Sequence, residues 1–364
     1  MSIDNKRQGS AGDGREGEFL RSLALGEPRT HRSMTVIPLF FRRDRGPRYV
    51  ALAEAIERGS ARVSEVSEGG SVPDLIIVNL GDEAVLVLDG EELRGAKQNR
   101  VLNTSILVGA RSEIVVPVSC TEQGRWHYNA RTFSDSGVVA ERRVRRELRH
   151  SVNMALVAGA GHRSDQRRVW DEVDDLHRRA ATSSPTHAMR DAFEERGDDL
   201  RGYLDGFPLV DRQHGLLVVR GREVAGLDLV SRARAYARIH TKLLQSYALE
   251  ALTGGNGKGS LAAAEALGLA RAFIDRAAST PGRSFKSPGL GWDVRFQAPG
   301  VLGSALMVDE DEEGRHGRAR NGGVPQIAVH GAFFRLDETD ERGRADDSSL
   351  AGYAQRRRYR GWEI

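Results

Sequence analysis

A chain of 364 residues, 39% of them hydrophobic, is long enough for one large or two ordinary domains with a sizeable core. No window approaches the roughly 18 consecutive apolar residues of a membrane span. The opening MSIDNKRQGSAGDGREGE lacks the apolar stretch of a secretory signal, and the single cysteine, Cys120, excludes an intrachain disulfide framework, so the expected location is cytoplasmic.

The net charge of +3 conceals a lopsided cation content, since all but 5 of the 54 lysines and arginines are arginine. Arginine grips phosphate and carboxylate bidentately, so the surplus suits a phosphate-rich ligand. Arginines set opposite Glu and Asp on helical faces are the plainer account of most of them.

Residues 1–32 are rich in Gly, Ser and charge and are expected to be disordered, with one short helix near 16–25. MTVIPLFF (34–41) reads as a strand, 49–58 as a short helix with Leu52 and Ile56 on one stripe, and ARVSEVSE (61–68) as a strand. DLIIVNLG, EAVLVLDGEEL, NRVLNTSILV and EIVVPVSC come next as strands joined by short turns, which predicts an antiparallel meander.

After Ser136 the period changes. Val144, Leu148 and Val152 mark one helix. A second, over 165–180, carries Val169, Val173, Leu176 and Ala180, and a third starts at Ser184-Pro185. A hairpin at 215–229 turns at Arg220-Gly221-Arg222; helices over 230–252 and 261–278 come next. Strands at 292–300, 301–310 and 325–336 end the pattern, with a charged Gly-rich insertion, DEDEEGRHGRARNGG, before the last. The fold class expected is α+β: a β-rich segment at 33–136 (curled sheet, sandwich or barrel), a helical and mixed segment at 137–340, and a tail at 341–364.

The densest chemistry lies in residues 88–126. Glu91, Glu92, Arg94, Gln98, Asn99, Arg100, Asn103, Glu122, Gln123 and Arg125 crowd a stretch that reads as strands. Strands closing a core seldom carry so many polar groups, each of which must be solvated or paired, so a polar pocket is the expectation. Alternation sends Glu91 and Glu92 to opposite faces and puts Arg94 on the side of Glu92, an ion pair that would keep the carboxylate charged. Exposed charges at a strand end account for GEEL equally well. Gln98 and Arg100 share one face, Asn99 and Asn103 the other; amides and a guanidinium together hold a phosphate or a nucleobase, and they also close turns.

Cys120 and Glu122 share a face if their strand continues. A neighbouring carboxylate raises a thiol's pKa, so Cys120 reads as a small buried residue rather than a nucleophile; Arg125 is the group that could offset this, and His127 the candidate base. Trp126 reads as a core plug or a stacking platform. RRVRRELR (142–149) spreads five arginines around a helix; a solvated face, or pairing with DEVDDL (171–176), outranks nucleic-acid binding. GGNGKGS (254–260) lacks the Ser or Thr after Gly-Lys that a phosphate loop needs and reads as a linker. The scattered histidines form no HExxH pair or Cys/His cluster, so no metal or cofactor site is expected and a divalent ion has no support. His330, in AVHGAFF, reads as a satisfied core histidine.

GEEL-RG-KQNR followed by VPVSCTEQGRW resembles the prokaryotic family described as ARG and rhodanese-phosphatase-superfamily-associated, ARG denoting ADP-ribosylglycohydrolase. The similarity is concentrated in 34–126 and extends more weakly through GREVAGLDL, LLQSYALEAL and VHGAFF. The family's activity is unknown, and its name reflects genomic company. The resemblance implies a link to NAD-derived metabolites, ADP-ribosylation or phosphoester processing, and a small phosphorylated metabolite as ligand. On that reading Glu92, with Glu91 and Glu122, supplies the candidate catalytic carboxyl, Arg94 and Arg100 hold phosphate, and Gln98 or Asn99 orients the ligand. Asn103, Gln123, Arg125 and Trp126 complete the binding set. A non-catalytic module binding the same ligand or an ADP-ribosylated protein has the same residues.

Overall fold

The computed structural model describes residues 15–66, 73–95, 97–125, 132–253, 261–309 and 327–336. A 3-10 helix at Glu18–Ser22 leads into β1 (Ala24–Leu25) and β2 (Arg29–His31), and both strands pair with β3 (Met34–Phe40). β4 (Tyr49–Ala51) runs directly into α1 (Leu52–Glu57). Then come β5 (Ala61–Glu65), β6 (Asp74–Asn79), β7 (Ala84–Val87), β8 (Glu91–Gly95), β9 (Arg100–Leu102), β10 (Ile106–Val108), β11 (Ser112–Cys120) and β12 (Phe133–Val139). Four helices are next: α2 (Arg142–Val157), α3 (Gln166–Ala180), α4 (Met189–Glu195) and α5 (Gly197–Gly206). The hairpin β13 (Gly215–Arg220) and β14 (Glu223–Val230) precedes α6 (Ala233–Thr253) and α7 (Ala263–Ser279). β15 (Gly282–Lys286), β16 (Trp292–Ala298), β17 (Val301–Val308) and β18 (Ile327–Phe334) end the described chain. The fold is α+β, as the periodicities predict.

Six antiparallel strands in the order β12-β8-β9-β11-β6-β5 curl into a half-barrel whose end strands meet at a single bridge, Ser64 to Thr132. Its apolar filling, including Val63, Leu75, Ile77, Leu93, Leu102, Val116 and Phe133, comes from alternate strand positions. A small sheet, β10-β7-β4, shares that core through Val50, Val85 and Ile106. The largest sheet runs β1-β3-β13-β14-β18-β17-β16-β15, with β2 also on β3. Ala270, Phe273, Ile274 and Ala277 of α7 belong to the core that includes Leu227, Val294 and Phe333. Val144 and Leu148 of α2 and Tyr247 of α6 pack in a separate core with Val218, Val329 and Phe334. The large sheet is thus clad by helices with apolar stripes of 3.6-residue period.

The expected meander is corrected in two places. The stretch 83–93 breaks at Leu88–Gly90, where Glu91 N bonds back to Leu88 O and Gly90 takes φ +79°. The stretch 99–108 breaks at 103–105, where Ser105 Oγ accepts from Asp89 N at 2.9 Å. β7 and β10 therefore leave for the small sheet while β8 and β9 stay in the half-barrel. The third helix begins at Met189, not Pro185, because residues 184–187 form a turn in which Ser184 Oγ accepts from Ala188 N at 2.8 Å. β1, β2, β4, β12, α5 and β15 are additions to the sequence reading; β1 and β2 arise in a stretch expected to be mobile, and β4 takes the first three residues of the helix expected over 49–58. The 254–260 linker and nearly all of the 309–323 insertion lie outside the described residues.

Candidate functional site

β8 carries the GEEL motif along the half-barrel, with Glu92 opposite Val101 of β9. Both glutamates are buried, and each meets a different element. Glu91 accepts from Lys242 Nζ of α6 at 2.9 Å, and the same ammonium donates to Asp135 at 2.5 Å. Glu91 is thereby committed to an ionic clamp between β8, β12 and α6. Glu92, fully buried, accepts from Thr121 Oγ1 at 2.7 Å through Oε1, while Oε2 has no hydrogen-bond partner. Burial pushes its carboxyl up to about 7, and the Thr121 and Ser136 hydroxyls and the Arg190 charge moderate the rise. Arg94, expected to pair with it, is exposed. Without that partner Glu92 is a carboxyl that gains and loses a proton near neutrality, the property of a general acid or base.

The turn after β11 builds a second group. Glu122 accepts from Arg125 Nε and Nη2, the latter at 2.7 Å, from Asn99 N at 3.1 Å and from Thr186 Oγ1 at 3.0 Å. Burial alone would raise its pKa, but these donors outweigh it and hold Glu122 below the usual carboxylate value. Arg125 also reaches Asn99 Oδ1 at 3.2 Å, so Glu122, Arg125 and Asn99 form one saturated knot.

Arg100 belongs to a third group. Its Nη1 donates to Gln98 Oε1 and Cys120 Sγ, both at 3.0 Å, and its Nη2 lies 3.9 Å from Glu65. Arg100 Nε is buried without a partner. Burial raises the Cys120 thiol; Arg100 lowers it and the nearby Glu65 raises it again, so the opposing carboxylate is Glu65 rather than Glu122. Asn103 lies apart, accepting from Ser119 at 2.6 Å and donating to His162 O at 3.1 Å. Gln123 is half-buried, and its backbone N–H donates to Thr186 O at 3.0 Å. Trp126 and His127 lie outside the described residues.

The basic run on α2 is neither a solvated face nor chiefly a partner of 171–176. Arg142, Arg145, Arg146 and Arg149 are buried. Arg142 pairs with Glu250 of α6, Arg145 grips Asp228 of β14 at 3.0 and 2.5 Å, and Arg149 pairs with Asp89. Tyr247 OH donates to Asp228 at 2.7 Å, and Arg145 and Arg149 both stack on Phe334. These guanidinium groups are held by carboxylates in the interior.

His330 joins the same cluster, its Nδ1 2.8 Å from Ser105 Oγ and its Nε2 3.8 Å from Asp228. Asp89, one residue before GEEL, escapes the sequence reading. Its signal is an aspartate ahead of glycine inside an apolar run, which marks a turn with a buried carboxylate to satisfy.

Among the described residues, no three His, Cys, Asp or Glu side chains gather as a metal-holding group, and no helix is long and apolar enough to cross a membrane. A family model described as ARG and Rhodanese-Phosphatase-superfamily-associated Protein domain matches residues 22–317, a span that includes every group described above except His330 and Phe334. No curated protein and no solved structure matches the chain.

Proposed function

The chain belongs to the ARG and rhodanese-phosphatase-superfamily-associated family, and from that premise we propose that it acts on an ADP-ribose-like or other NAD-derived phosphorylated metabolite, with Glu92 as the acid–base group. The observation that carries this reading is the Glu92 carboxyl: out of solvent, poised at about 7, with one oxygen left unpartnered. A group in that state exchanges a proton with a bound hydroxyl or water at physiological pH. Arg100, opposite Leu93 and Cys120, points to the other face of the half-barrel sheet from Glu92, whose opposite residue is Val101. A second reading, in which the segment holds the same ligand without turning it over, draws on the same residues.

A thermal-shift panel tests both. Purified protein is heated with NAD, ADP-ribose, ribose phosphates, and cyclic and linear nucleotides, each with and without Mg²⁺ or Mn²⁺. A ligand of the native state raises the melting temperature by mass action. The expected result is a shift with ADP-ribose or a ribose phosphate that is lost in Glu92→Gln. Product formation then identifies an enzyme, and binding without product a sensor. A flat panel overturns the metabolite reading.

A further inference from the structure

Three connections come together against α7 at one end of the large sheet. Arg222 lies in the turn between β13 and β14, Gly300 in the turn between β16 and β17, and Arg335 and Leu336 directly follow β18. Arg335 N donates to Ala225 O and Leu336 N to Gly300 O, both at 3.4 Å, which ties the three together. Between them and α7 lies a cavity of about 440 Å³, within the roughly 300–1,000 Å³ that small-molecule sites occupy. No residue of the half-barrel lines it, so it is separate from Glu92.

Its chemistry is restricted, because every lining side chain is either apolar or an arginine. Val224, Phe273 and Leu336 are buried and form its floor, while the more exposed Arg222, Arg276 and Arg335 form its rim. Arg222 pairs with Glu265, and Arg335 with Glu223 at 3.0 Å. Neither glutamate lines the cavity, and ion pairs so open to solvent are cheaply exchanged for a better partner. Arg276, in the last turn of α7, has no ion pair among the described residues. Its guanidinium lies over Gly300, where a Cβ would stand 2.7 Å from Nη1, so the glycine makes the room through which this cation reaches the cavity.

A ligand that fits has a hydrocarbon body for the floor and an anion for the rim. Guanidinium groups only donate, so the hydroxyls of a sugar phosphate or the amino groups of a base would find no acceptor among these side chains. An uncharged apolar molecule would cover the arginines without pairing them. We infer that this cavity binds an amphiphilic anion, an alkyl or acyl chain ending in a carboxylate or a phosphoester, with Arg276 as the residue that grips the head. The inference does not rest on the metabolite reading above.

Isothermal titration calorimetry on the full chain tests it with octanoate and octyl phosphate, each below its micelle-forming concentration. Octanol and inorganic phosphate serve as the chain and the head alone. The proteins are wild type, Arg276→Gln, Ala272→Trp, which fills the cavity from α7, and Arg271→Gln, an exposed change on α7 outside it. Far-UV circular dichroism establishes that each variant is folded, and Ala272→Leu replaces Ala272→Trp if that one is not. The expected result is saturable binding of at least one of the two anions by wild type and Arg271→Gln. Binding should weaken about 10- to 100-fold in Arg276→Gln and be lost in Ala272→Trp.

Preference for octyl phosphate identifies a phosphoester head, and preference for octanoate a carboxylate head. Three results overturn the assignment: no binding of either anion by wild type, undiminished binding by Arg276→Gln or Ala272→Trp, or octanol or inorganic phosphate bound as tightly as the better anion.

Discussion

Glu92 makes the stability of the molecule depend on pH in a direction opposite to that of most carboxylates. Burial raises its folded-state pKa to about 7 from an ordinary 4.5, so the folded chain holds its proton more tightly than the unfolded chain does. The contribution is complete below about pH 4.5 and is lost as pH rises toward about 7. Glu250 works the other way: burial would raise it, but Arg142 outweighs burial and holds it at about 2, so its contribution fades as pH falls toward that value. Urea denaturation across this range is therefore expected to show a decline in stability on the alkaline side that is flattened in Glu92→Gln. An unchanged slope in that variant would mean that Glu92 does not titrate there.

At the scale of elements, the turn between β7 and β8 is where the half-barrel meets the helices. Gly90 takes φ +79°, and a Cβ there would lie 2.7 Å from Arg145 Cγ, so the glycine both permits the turn and lets the arginine pass. Gly90→Ala is expected to cost at least about 1–3 kcal/mol in denaturant unfolding, since the backbone strain is joined by a clash within a buried ion network. Asp228→Ala, which strands Arg145 in the interior, should cost about 3–5 kcal/mol, while replacing both members of the pair with apolar residues of similar volume (R145M/D228L) should recover much of that loss. Equal losses in the single and double variants would show that the pair is not the source of the penalty.

The sequence makes some of these elements plain and hides others, for physical reasons. α2 and α3 are readable because Val144, Leu148 and Val152, and then Val169, Val173 and Leu176, recur at helical spacing. β12 is obscured by the serines, aspartate and glycine of FSDSGVV, which strands use sparingly. The breaks inside 83–93 and 99–108 are hidden because apolar residues continue on both sides of each turn. Within the site, the pairing of Gln98 with Arg100 is legible from strand alternation. The burial of Arg145 is not, because its partner Asp228 lies 83 residues away and no local pattern announces it.

At the scale of the whole molecule, the β-rich N-terminal portion is built into the rest of the chain rather than set apart from it. β3 pairs with β13 over all but its last residue, from Met34 opposite Arg220 to Leu39 opposite Gly215, and both of its faces are buried. A fragment spanning residues 34–139 would leave β3 without that partner and expose Glu91 without Lys242. Such a fragment is expected to unfold without a cooperative transition in denaturant, and a sharp, reversible one would reveal an autonomous half-barrel.

The position of β18 adds a constraint in time. The last described strand of the chain is seated between β14 and β17, in the middle of the large sheet. During synthesis the sheet exists as two separate pieces until Phe334 has left the ribosome, and until then β14 and β17 each present an open hydrogen-bonding edge. The nascent chain is thus most vulnerable to sticking to its neighbours while β18 is still inside the ribosome, and a ribosome stalled shortly before residue 327 would release a polypeptide prone to aggregate.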